Sequence, residues 1–178
     1  MTRWNGFGRA VVFAAGAAAA VFAAEVLLAP VLGARATLRG FALASAAVYL
    51  AGLGPSWRRG STAAVAAAVA GVGVLTLPLS MSHTAVAAAG VIALGRSGIL
   101  YRSRPLRALA LEVLLATGGL ALASTLAGDG AASLALAVWG FFLVQSVFFL
   151  IGGIEARPDP GPADPFERAR AELLALLD

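Results

Sequence analysis

The chain has no cysteine and no lysine, and its single histidine is His83. Without cysteine there can be no disulfide, thiolate metal site or redox pair within the chain. Without lysine there is no amine for a retinal-type Schiff base. One imidazole cannot supply a pair of axial haem ligands, and no histidine–carboxylate cluster has metalloprotease spacing. No Asp-rich motif interrupts the apolar segments to hold Mg²⁺ and a diphosphate. Charge is scarce too. Of the 178 residues, 12% are charged and 60% hydrophobic, whereas soluble domains run at about 25% and about 45–50%. The expectation is a non-enzyme without cofactor or bound metal.

What is present is a series of apolar runs, and the mean hydropathy is +0.89. Runs of about 20 apolar residues are what a bilayer-spanning helix needs. They cover 10–29, 36–53, 62–77, 83–100, a stretch that Ser103 caps and that ends near 127, and 131–151. The expected fold is therefore all-α: a polytopic transmembrane helix bundle of six spans, with five as the alternative if the fourth segment is re-entrant. Residues 1–155 form the bundle. Residues 156–178 form a Pro-rich linker followed by a C-terminal amphipathic cytoplasmic helix. That helix opens at Asp164-Pro165-Phe166-Glu167, where an N-cap, a first-position proline and an acid at the third position coincide. The first segment also has the charged start and small residues of a signal peptide, but its apolar run is longer than a usual signal core.

Gly95 to Arg107 holds the densest positive charge, with Arg96, Arg102, Arg104 and Arg107. Arginine resists translocation, so this loop and both termini are expected in the cytoplasm. With that orientation only Arg35 and Arg39 fall on the outer side, and Arg96 is expected to snorkel to the inner surface. All basic residues being arginine, together with the alanine excess, suggests a GC-rich genome and a bacterial inner membrane. The net charge of +4 follows topology, and no nucleic-acid partner is expected. The expected partners are the lipid bilayer and other membrane proteins or a second copy. A weak internal repeat lays 38–44 on 106–111, which would make two inverted three-span halves of the kind transporters use.

The intramembrane polar residues are the candidate site. Glu25, Arg39 and His83 share the outer side and are expected to cluster, with Glu25 near Arg39. Glu112 and Gln145 lie at similar depth on adjacent antiparallel spans and are expected to touch. Intramembrane carboxylates are costly enough to need a reason. Trp139, Phe141, Phe142, Phe148 and Phe149 are expected on a lipid- or partner-facing surface. Gly95-Arg96-Ser97-Gly98 matches the GxSG pattern of rhomboid-type intramembrane serine proteases. Those enzymes need a histidine on a later helix and His83 comes earlier, so the stretch reads as a loop with a helix stop. Two function classes follow: a non-catalytic subunit, scaffold or assembly factor, or a small ion or solute carrier.

Overall fold

The computed structural model describes residues 3–53, 57–100 and 105–151. The centre of the Arg-rich loop and the expected tail helix lie outside the described residues. Every described element is helical. α1 spans Arg3–Leu27, α2 Ala29–Leu32, α3 Ala34–Leu53, α4 Trp57–Thr76, α5 Met81–Leu94, α6 Pro105–Leu126 and α7 Ala131–Ser146. α5 runs on into a π-helical stretch, Gly95–Leu100, and α7 into a 3₁₀ turn, Val147–Phe149.

Three helical stretches are long and apolar enough to cross a membrane: Gly6–Leu27, Leu109–Leu126 and Ala131–Phe149. The others fall short for reasons visible in their residues. α3 carries Arg35, Thr37, Arg39 and Ser45, and the apolar part of α4, Gly60–Thr76, is short. α5 has 14 residues before its geometry changes.

α1 packs on α7, α7 on α6, α6 on α5, α5 on α3, and α3 back on α1. Five helices thus close a ring, and α4 packs outside it against α3, α5 and the π-helical stretch. The near end of the ring holds the start of α1 and the π-helical stretch. The far end holds the turns at Gly33, 77–80 and 127–130. The two halves are not equivalent, since α3 packs on α5 whereas α6 has no matching contact with α1 among the packed pairs.

Small side chains set the spacing. Ala10, Ala14, Ala17 and Val21 form one buried stripe on α1 at helical period. Alanine there lets neighbouring backbones approach closely, which substitutes for hydrophobic driving force inside a bilayer. Gly71 on α4 does the same, since a Cβ there would lie 3.3 Å from Leu43 Cβ on α3. Gly33 joins α2 to α3 with φ +84°, a conformation that favours glycine. Ser80 caps α5: its Oγ accepts from the His83 amide at 3.3 Å.

Candidate functional site

The largest fully buried side chain is that of Arg96, which is 1% exposed. It does not snorkel. The helix does not stop at Gly95 but continues as π-helix, which carries Arg96 into the ring instead of out to its rim. Such π segments are often found at functional sites. Gly95 permits the approach, because a Cβ there would run into the Leu50 side chain.

A buried guanidinium needs acceptors for five N–H groups, and here each has one. Nε donates to Glu112 Oε1 at 2.7 Å, and Nη2 donates to Glu112 Oε2. Nη2 also donates to Gln145 Oε1 at 2.9 Å. Nη1 donates to Tyr49 Oη and to the Gln145 carbonyl, both at 3.3 Å. The Phe148 ring lies 4.1 Å from the guanidinium carbon, a cation–π contact. The partners are completed in turn. Ser97 Oγ donates to Glu112 Oε1 at 2.9 Å, and Gln145 Nε2 donates to the Leu115 carbonyl at 3.1 Å. A forked ion pair with every donor used is the form in which buried charge is tolerated.

Glu112 and Gln145 therefore meet through Arg96 instead of bonding to each other. Sequence reasoning placed both at the right depth but left Arg96, Tyr49 and Ser97 out. Ser97, the residue of the GxSG pattern, is bonded to a carboxylate, and His83 is at the other end of α5. The aromatic expectation also changes. Phe142 and Phe148 are buried, Phe141 and Phe149 are half-buried, and Trp139 is 39% exposed. Phe142 is wanted inside, where it packs on Phe13 at 4.9 Å and Tyr49 at 5.3 Å between ring centroids.

On the far side of this aromatic layer lies a cavity of about 180 Å³ on the axis of the ring. It is lined by Val21 of α1, by Phe41 and Ser45 of α3, by Ile92 of α5, by Leu120 of α6 and by Phe142 of α7, among others. Ile92 and Phe142 are about one helical turn from Arg96 and Gln145, yet neither of those polar side chains lines the cavity.

The outer trio does not assemble into one site. Arg39 Nη2 donates to the carbonyls of Leu77 at 2.7 Å and Val74 at 3.1 Å, and Arg35 Nη2 to that of Leu79 at 2.9 Å. Arg39 thus caps the C-terminal end of α4, where carbonyls lack partners and the helix dipole favours a cation, and Arg35, one turn earlier on α3, holds the turn that follows. His83 is exposed, and its Nδ1 lies 2.6 Å from Ser80 Oγ. Glu25 makes no ion pair with Arg39 among the described residues, and its Oε2 is buried without a partner. No group of metal-ligating side chains occurs among the described residues. No protein-family model, curated protein or solved structure matches this chain.

Proposed function

We propose that the chain is a six-span membrane protein with both termini in the cytoplasm, acting as a non-catalytic subunit, scaffold or assembly factor of a membrane complex. The orientation rests on the arginines of the sequence, of which the six-span arrangement leaves only Arg35 and Arg39 on the outer side. α3, α4 and α5 complete the six. Within a bundle they need less apolar surface than α1, α6 and α7, because α3 and α5 have a ring face and α4 shields part of α3.

One observation carries the functional reading. The buried charges, Arg96 and Glu112, are spent entirely on partners within the chain. An ion path needs a carboxylate that water or substrate can reach, whereas this one is 3% exposed and fixed by two side chains. The network locks α3, the π-helical stretch, α6 and α7 together, which suits a rigid platform. Outward faces such as Val65, Val69 and Val72 on α4, or Val113 and Leu114 on α6, are exposed and apolar, as a surface in lipid or against another membrane protein must be.

Purification in mild detergent, with native mass spectrometry, tests the proposal. A particle larger than one chain, with a defined second component or copy, is expected. A monomer that carries ion or solute flux in vesicles, lost on Glu112→Gln without loss of fold, would establish the carrier reading in its place.

A further inference from the structure

Alanines from four helices line the axial cavity: Ala42 on α3, Ala85 and Ala88 on α5, Ala123 on α6 and Ala137 on α7. Each stops at Cβ where a leucine would reach toward the axis, and a space of about 180 Å³ is left between them. An empty apolar space is costly, because the atoms around it lose their packing partners. Water does not repair that loss, since a buried water needs polar groups to bond. Among the described residues that line the cavity Ser45 alone is polar, and its hydroxyl already donates to the Ala42 carbonyl at 3.0 Å.

The lining is drawn out along the helices. Met81, Ala85, Ala88 and Ile92 share one face of α5 at helical spacing. Met81 and Ile92 stand three turns apart, about 16 Å along the helix axis. On α7 the lining runs from Leu134 to Phe142, about 12 Å by the same rise. A compact cavity of about 150 Å³ accepts benzene. Here a similar volume is spread over several helical turns, so its bore suits one chain better than a ring. The two ends differ. Ile92 and Phe142 floor the near end at 2% and 3% exposed, and Phe142 is backed by Phe13 and Tyr49. Met81, at the far end, is the one exposed residue among those that line the space.

We infer that this cavity holds a single unbranched alkyl chain, inserted methyl end first from the far end, with its polar head left outside beside Met81. The wall offers aliphatic and aromatic surface along the whole chain and no free donor or acceptor to a head group. The thioether of Met81 is flexible enough to move aside at the mouth and to pack on the chain afterwards. The floor stops the methyl end short of Arg96, whose donors are all taken within the chain. The inference goes beyond the scaffold reading and does not rest on it, since a floored cavity binds without passage.

The test is photolabelling of the full chain in phosphatidylcholine nanodiscs, with adducts mapped by peptide mass spectrometry. The probe is dodecanoate carrying a diazirine either at its methyl end or beside its carboxylate. The methyl-end probe is expected to label Ile92 and Phe142, and the head-end probe Met81. Ala137→Phe, and more mildly Ala123→Leu, should abolish the inner adducts by filling the bore. Labelling of the outward residues Val65 and Val69 should persist in both variants, which shows that each is folded and inserted. A phosphatidylcholine with the methyl-end diazirine on one chain separates the sources: inner adducts from it as well identify a bilayer lipid as the donor of the chain, and adducts from dodecanoate alone identify a free amphiphile. Adducts confined to outward faces with every probe would overturn the inference. So would inner adducts that survive both filling variants, or equal labelling of Ile92 by the two dodecanoate probes.

Discussion

Arg96 and Glu112 lie 16 positions apart in sequence and face each other as a fork, with Arg96 Nε on Oε1 at 2.7 Å and Nη2 on Oε2. The residues between them are the most basic in the chain, and α6 lies alongside the π-helical stretch so that the two side chains meet inside the ring. Removing one partner strands the other charge. Arg96→Met or Glu112→Leu is expected to lower stability by about 3–5 kcal/mol, and the double variant to recover most of that loss. Equilibrium unfolding in mixed micelles measures it. Near-neutral single variants would mean that the pair is wet and not structural.

Much of this was legible and one key part was not. The helical runs, the breaks at 77–80 and 127–130 and the depth match of Glu112 with Gln145 follow from hydropathy and spacing. Arg96 was misread because its charge-free segment ends at Gly95, which looks like a helix end. An extra residue in the turn, the π geometry, cannot be seen in a hydropathy pattern, and it moves the side chain from rim to interior. One signal was available: Glu112 is an isolated acid in an apolar run, and such a residue needs a countercharge. Glu25 was paired with Arg39 for the same reason, but α4 ends beside Arg39 and its open carbonyls compete successfully.

That competition has a measurable consequence. Arg39→Met should uncap α4 and cost about 0.3–1 kcal/mol, with faster amide exchange in the last turn before Leu77. Because Glu25 does not bond Arg39, Glu25→Gln combined with Arg39→Met should be additive within about 0.5 kcal/mol. A larger coupling energy would show that the two charges interact.

Adjacent glycines on α6 differ sharply in what a side chain would meet. A Cβ at Gly119 would lie 3.0 Å from Phe141 Cδ2 and 3.3 Å from Gln145 Nε2, whereas one at Gly118 would lie 3.9 Å from Val144. Gly119→Val should therefore press on the residue that holds Arg96 and lose about 1–3 kcal/mol through overpacking. Gly118→Val should be close to neutral in the same unfolding assay. Equal effects would mean that α6 and α7 are not in close contact at this level.

Topology follows from the arginine asymmetry. A reporter fused after Asp178 should read cytoplasmic, and one inserted at Met81 should read external, since Met81 begins α5 at the far end. The same side for both would leave the six-span arrangement untenable.

The tail supplies the last test, and its logic is compositional because it lies outside the described residues. Phe166, Ala169, Leu173 and Leu177 share one face of the expected helix, and Glu167 with Arg170 and Arg168 with Glu172 stand at interacting spacings. A helix held by anionic lipid gains about 1 kcal/mol per basic residue near the surface and so carries an excess of them. Here the arginines are matched by glutamates, and the chain ends on Asp178. Lipid charge is then a poor anchor, and the apolar face needs a protein surface. Prolines at 158, 160, 162 and 165 are the composition of an extended linker, which is expected to give the helix reach beyond its own bundle. Deleting all residues after Gly161 should leave membrane insertion intact and shrink the native complex. An unchanged complex, or salt-sensitive binding of the isolated peptide to anionic vesicles, would instead assign the tail to the lipid surface.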